Sequence, residues 1–214
     1  RILDGQIGAD LLNTVAANSN IKPLSYTYSG GYRIVPANFK AENLDAWKNR
    51  RVRTSRSPVA VDVFKLLGAE PNEKISLEAM NEHADKGEIE GGESTYVRIF
   101  PLDQYKSFKY VNDTAHSLFL TSIIISNKFL ATLDEETRAK FQEACTYASR
   151  LERKWSVEEA EKFASTTEKH ADIGVTYNEL APEETARFKE LVKPIYDKYT
   201  EFFTPGLVDG IIKS

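Results

Sequence analysis

From Asp134 to His170 the chain runs without a single proline or glycine. Within that stretch Phe141, Cys145, Ala148, Leu151, Trp155, Ala160 and Phe163 return at helical spacing. With the strongest helix breakers absent and an apolar stripe present, the segment predicts one long helix. Asp134, followed by two glutamates and Thr137, supplies a capped start matched to the helix dipole. At roughly 1.5 Å per residue such a helix reaches about 50 Å. That is wider than a small domain, so the helix spans more than one packing unit or pairs with another helix. The drifting apolar spacing and the scarcity of leucine weigh against a coiled coil.

The rest of the chain alternates strand and helix patterns, which predicts an α/β fold. Ile7 to Ala17 reads as a helix, Pro23 to Tyr28 as a strand, and Gly30-Gly31 as the turn into a strand carrying Arg33. A second arginine strand, Arg51 to Arg53, precedes a helix that Pro58 opens and Gly68 stops. Leu77 to Lys86 predicts a short helix closed by Gly87, Glu90 to Ser94 a turn, and Tyr96 to Tyr105 a helix that Pro101 interrupts. Phe108 to Val111 and Ser117 to Ile125 predict strands; the second is nearly all apolar, as expected of a strand covered on both faces. Ile173 to Tyr177 predicts a last strand, and Pro182 opens a final helix bearing Tyr196, Tyr199, Phe202 and Phe203.

Composition excludes several functions. With 41% hydrophobic and 28% charged residues in 214, the chain can bury a core and does not read as disordered. A net charge of -4 and a pI near 5.6 argue against a nucleic-acid binder. No run of eighteen apolar residues offers a membrane span. Cys145 is the only cysteine, so no intramolecular disulfide or cysteine metal cluster forms; its setting suggests a small helix residue in the core.

The segment Gly31 to Val59 carries the candidate chemistry. Alternation in R-V-R-T sends Arg51 and Arg53 to one face and Val52 to the other, so an arginine stands at a strand end where a cleft can form. A guanidinium fork matches a carboxylate through two charge-assisted hydrogen bonds. An ordinary surface ion pair is the competing explanation.

This segment resembles the solute-binding proteins of the tripartite ATP-independent periplasmic (TRAP) transporters, the DctP-type extracytoplasmic receptors. Their pattern is roughly G-x-R, a short loop, then D-L-K-G-L-K-I-R-V-x-x-S-P-V. Gly31 and Arg33 match its start, and Leu44, Lys48, Val52, Arg53, Ser57, Pro58 and Val59 match the remainder, with Asn49 replacing a glycine. Leu66, Gly68, Ala69 and Pro71 resemble L-G-A-x-P. Gly87 to Ser94 resembles G-V-V-D-G-Q-E-N, with Gly91 and Glu93 retained, and Asp113 to His116 resembles T-x-H.

The resemblance implies an α/β, periplasmic-binding-protein-like (type II) two-lobe fold with a long bridging helix. Its N-terminal lobe would be largely missing, since only 32 residues precede Arg33 where the family carries a signal peptide and a first lobe. Arg1 is not an initiator methionine, so a processed or truncated chain is expected. The implied division is a remnant over 1–30, a carboxylate-gripping lobe over 31–125, and the bridging helix with its C-terminal elements over 126–214. Arg53 would clamp a substrate carboxylate and Arg33 would be a secondary contact; Ser94, Glu93 and Ser76 complete the implied ligand-binding set. Ser94 stands where the family often places asparagine, and a plain turn residue is the alternative there. The implied function is a periplasmic receptor that hands a small organic acid to TRAP membrane permease subunits, with no cofactor, metal or nucleic acid. The alternative is a truncated fragment or interaction module with weak or no solute binding, in which exposed apolar surface would favour dimerisation or segment exchange; the sequence leaves the oligomeric state open.

Catalysis and metal binding are not expected. His83 and His170 lie on polar helix faces, and no paired-histidine spacing or nucleophile elbow exists around Glu90, Glu93 or His116. His116 is expected to be hydrogen-bonded in the core, and Glu93 to order its loop by pairing with an arginine.

Overall fold

The computed structural model describes residues 2–164 and 171–213, except for the side chain of residue 164. Helix α1 (Gln6–Ala17) and strand β1 (Ile21–Thr27) open the chain, and a turn over Ser29-Gly30-Gly31 leads into β2 (Arg33–Ala37). All three turn residues have positive φ, at 43°, 95° and 76°, a region only glycine enters without strain. Gly30 is confined as well, because a Cβ there would lie 2.5 Å from Thr95 Oγ1.

The chain continues through β3 (Arg51–Arg53), α2 (Pro58–Leu66), β4 (Glu70–Asn72) and α3 (Met80–Asp85). Two short pairings, β5 (Gly91–Gly92) and β6 (Ser94–Thr95), precede the helical turns α4 (Tyr96–Ile99) and α5 (Gln104–Ser107). Then come β7 (Tyr110–Asp113), β8 (Thr121–Ser126), α6 (Asn127–Leu130) and the long α7 (Glu135–Ala164). The described chain closes with β9 (Thr176–Glu179), α8 (Pro182–Leu191), α9 (Lys193–Tyr199) and α10 (Leu207–Ile212).

Strands β4-β3-β5-β2-β7-β9 form a mixed sheet, with β6 also paired to β2. Strand β2 is antiparallel to both its neighbours, whereas β3 runs parallel to β4 and β5, and β7 parallel to β9. The pairings of β5 and β6 with β2 share one register, Ala37 opposite Gly91 and Ile34 opposite Ser94. The interruption between them falls at Glu93 and opposite Val35-Pro36. Proline has no N–H to give the ladder, which accounts for the break.

Both faces of β2 are buried, as a central strand requires. Val35 and Ala37 pack with Phe39, Trp47, Val52 and Phe64 on one face. Ile34 packs with Tyr96, Ile99, Val111 and Phe163 on the other. A third cluster of Ile75, Met80, Ala84, Ile89 and Phe108 lies beneath α3.

Strands β1 and β8 pair antiparallel as a separate two-stranded sheet. Helix α7 joins the two sheets. Its first half lies on β1, where Ser25 and Ser149 share a buried hydroxyl hydrogen bond and Gln142 Nε2 donates to Leu24 O at 2.9 Å. Its second half inserts Phe163 against Tyr96, with ring centroids 4.9 Å apart, in the core of the mixed sheet. The start of α7 is capped as expected, Thr137 N donating to Asp134 Oδ1 at 2.7 Å.

Four expectations need correction. Glu90 to Ser94 is not a turn but the β5–β6 segment, drawn into the sheet by parallel pairing with β3. The apolar strand begins at Thr121, pairs with β1 rather than joining the mixed sheet, and leaves Ile124 54% exposed, so it is not covered on both faces. The helix expected from Leu77 begins at Met80, because the Ser76 hydroxyl caps Ala79 N and holds the preceding residues in a turn. The single final helix is three: Pro194 starts α9, and Pro205-Gly206 separates it from α10. The expected end of the long helix, 165–170, including His170, lies outside the described residues.

Candidate functional site

The sheet topology gathers the candidate residues at one end. Arg53 ends β3, Gly92 ends the parallel β5, and Arg33 begins the antiparallel β2, so all three lie at the same edge. From this edge the chain passes twice to the β1–β8 sheet, through residues 28–32 and 114–120. By register, Arg33 shares a face with Glu93, while Arg53 leaves the opposite face beside Gly92. The two glycines permit this packing. A Cβ on Gly92 would lie 2.4 Å from Met80 Sδ and 3.1 Å from Arg53 Cβ, and one on Gly91 would lie 2.9 Å from Ala37 Cβ.

Glu93 is the hub, held by both its main chain and its side chain. Its amide donates to Arg53 O at 3.0 Å, and its carbonyl accepts from Arg53 Nη1 at 3.2 Å. Its carboxylate is 1% exposed: Oε1 takes a 3.0 Å hydrogen bond from His116 Nε2 and lies 3.9 Å from Arg33 Nε, while Oε2 accepts the Ser55 N–H. His116 is fixed in turn by Thr114 Oγ1 at 2.7 Å and by the edge-on ring of Phe64. Burial by itself would raise the Glu93 pKa. The His116 hydrogen bond, the charges of His116 and Arg33, and the Ser55 N–H outweigh it and hold the carboxyl at about 2.

Arg53 is 9% exposed. Its Nε donates to Ile75 O at 3.0 Å and Nη1 to Glu93 O, and among the described residues Nη2 has no hydrogen bond. Two backbone carbonyls thus hold the guanidinium through Nε and Nη1, and leave Nη2 and one proton of Nη1 for a planar acceptor. Burial pushes the Arg53 pKa down, Glu93 opposes this, and Arg33 and Arg98 push it further down. Arg98, on α4, donates from Nη2 to Ser29 Oγ at 3.1 Å and lies over the ring of Phe119. Neither Arg98 nor Phe119 stood out in the sequence, because a lone arginine in a short helical turn and one phenylalanine in an apolar run carry no local signal.

The remaining candidates are engaged inside the protein. The Ser94 hydroxyl, 1% exposed, donates to Gln104 Oε1 at 2.7 Å. Ser76 is exposed and caps Ala79 N. Glu90 pairs with Arg50 at 2.7 Å, which fastens β5 to the start of β3. His116 is hydrogen-bonded as expected, to Thr114 and to the Glu93 carboxylate, Glu93 also pairs with Arg33, and His116 precedes β8 rather than starting it. Among the described residues no group of three or more His, Cys, Asp or Glu side chains is arranged to hold a metal ion, and no helix is long and apolar enough to cross a membrane.

The sequence profile of the family described as bacterial extracellular solute-binding protein, family 7 (DctP), matches residues 1–201. The chain belongs to this family. It is similar to the C4-dicarboxylate-binding protein DctB of Bacillus subtilis, with 23% identity over 211 residues covering 99% of this chain and 59% of that protein. A TRAP periplasmic solute-binding protein from Ochrobactrum anthropi, solved with its C-terminus bound in its ligand-binding pocket, is 28% identical at a TM-score of 0.85. That match covers 99% of this chain and 65% of the other. A TRAP solute-binding protein from Shewanella oneidensis with bound succinate shares the fold at a TM-score of 0.87 and 20% identity, over 98% of this chain and 67% of that one. This member of the DctP family therefore spans about three fifths to two thirds of the length of the relatives it matches. Its α/β architecture, with α7 joining two sheets, is that of the TRAP two-lobe receptors.

Proposed function

We propose that this DctP-family protein is a periplasmic receptor for a small organic acid, a binding protein rather than a catalyst, which delivers its solute to a TRAP membrane permease. The observation that carries this reading is the Arg53 guanidinium, buried, held through Nε by Ile75 O and through Nη1 by Glu93 O, with Nη2 free of hydrogen bonds among the described residues. Arg53 grips the acid's carboxylate, Arg33 adds a second charge from the opposite face, and Glu93 holds both arginines in place. Ser94 supports the grip through its buried bond to Gln104, and Ser76 through the turn ahead of α3. DctB binds a C4-dicarboxylate by name and the Shewanella protein holds succinate, ligands of the class this geometry suits. A profile match across residues 1–201 does not favour an interaction module.

A micromolar ligand requires about 8 kcal/mol. Hydrogen bonds to charged groups contribute about 1.5–3 kcal/mol each, so the fork supplies a large share and further contacts the rest. Thermal unfolding with a panel of organic acids tests the reading. A ligand at about 100 times its Kd adds about 2.7 kcal/mol, which for a chain of this size raises Tm by roughly 5–10 °C. Arg53→Ala is expected to abolish the rise while the ligand-free protein stays folded. A rise of equal size in Arg53→Ala would refute the clamp.

A further inference from the structure

Two arginines share one aromatic ring. Arg33 Cζ lies 4.1 Å from the centroid of Phe119, and Arg98 Cζ lies 4.8 Å from the same centroid. Phe119 therefore fixes the spacing of two cations. Arg98 is further steadied through Ser29 Oγ, on the strained turn that leads into Arg33. Among the described residues neither Arg98 nor Arg53 has a carboxylate oxygen within 4.0 Å. Glu93 is the buried acid here, and its oxygens are already held by His116, Ser55 N and, loosely, Arg33. Glu78 is exposed, and its field reaches both Arg53 and Arg98. Arg53, Arg33 and Arg98 feel one another's charge, and of the three only Arg33 lies within 4.0 Å of the Glu93 carboxylate. Burial and the charge of Arg33 both disfavour the cationic forms of Arg53 and Arg98. Like charges brought together in partly dried surroundings repel, and an anion placed among them relieves that repulsion, a doubly charged one more so.

We propose that Arg98 is a second anion contact of this site and selects acids with two anionic groups over singly charged molecules of the same shape. Arg53 takes one carboxylate, and Arg98, aligned with Arg33 by Phe119, takes the other. The inference rests on the acid-binding reading and adds to it a residue and a charge class.

Calorimetric titration with matched pairs tests it: succinate against succinamate, and galactarate against the open-chain monoacid galactonate. The protein is expected to bind the diacid of at least one pair ten-fold or more tighter than its partner. Arg98→Gln is expected to weaken the diacid at least ten-fold and the monoacid no more than three-fold, with Arg98→Lys intermediate. Arg53→Ala is expected to lose both members. Equal affinity within each pair, or equal losses for both members in Arg98→Gln, would overturn the role of Arg98 while leaving the acid-binding reading intact. Binding of none of the four acids would overturn both. The ligand-free Tm of Arg98→Gln, expected within about 2 °C of the parent, separates loss of contact from loss of fold.

Discussion

Replacing Glu93 by glutamine keeps the shape of the side chain and removes its charge, which makes it a neutral mimic of the protonated acid. In the folded protein the Glu93 carboxyl is held at about 2, against an ordinary value of 4.5. That difference makes the ionised form worth about 3 kcal/mol to the folded state. Because the folded pKa is depressed, this stability is fully present above the unfolded value and is lost as pH falls toward about 2. At pH 7, Glu93→Gln is therefore expected to lose about 3 kcal/mol, a Tm decrease of roughly 6–12 °C for a chain of this size. The introduced amide oxygen still accepts the Ser55 N–H, but the new NH₂ faces the His116 Nε2 that now donates to Glu93 Oε1. Urea unfolding across pH 2 to 7 is the assay. Parent and variant curves are expected to converge as pH falls below about 4, the parent losing the larger share. Parallel curves with a constant offset, or equal stability at pH 7, would refute the assignment of Glu93 as the ionised hub.

Further predictions follow from the same geometry. Arg53→Lys is expected to bind an acid at least ten-fold more weakly in calorimetry, because an ammonium cannot offer two parallel donors; unchanged affinity would mean that the fork is not used. Gly92→Ala puts a methyl 2.4 Å from Met80 Sδ and 3.1 Å from Arg53 Cβ. It is expected to cost about 1–3 kcal/mol in urea unfolding and also to weaken acid binding, since Arg53 must shift; loss of stability with full binding would show that the arginine is not displaced. Trp47 is fully buried among Phe39, Phe64 and Phe188, but among the described residues its indole N–H has no partner. Trp47→Ala is expected to cost about 3–5 kcal/mol and Trp47→Phe under about 1.5 kcal/mol, whereas similar losses for both would point to an unrecognised hydrogen bond.

Much of the architecture was legible because its signals are local. An Asp-Thr cap and freedom from proline and glycine mark the start and course of α7, and Gly30-Gly31 marks the turn before Arg33. What escaped were matters of pairing. The apolar run before Ser126 looks like a strand buried on both faces, yet its partner is β1, about a hundred residues away, and hydrophobicity alone does not reveal which sheet receives a strand. Gly91-Gly92 reads as a turn because glycine favours turns. Here it serves close approach instead, leaving room for Ala37 and Met80 against a strand. At the site, Arg53, Arg33 and Glu93 were visible as residues, but the division of labour was not. That Glu93 holds Arg53 through its main chain and Arg33 through its carboxylate depends on the alternation of faces across three strands. Arg98 becomes visible only when α4 brings it over Phe119.

A crystal structure with the tightest-binding acid of the panel tests the central claim most directly. The expected result is a carboxylate with both oxygens within about 3 Å of Arg53 Nη1 and Nη2, and with the bonds to Ile75 O and Glu93 O retained. An acid bound elsewhere, with the Arg53 edge still empty, would contradict the account.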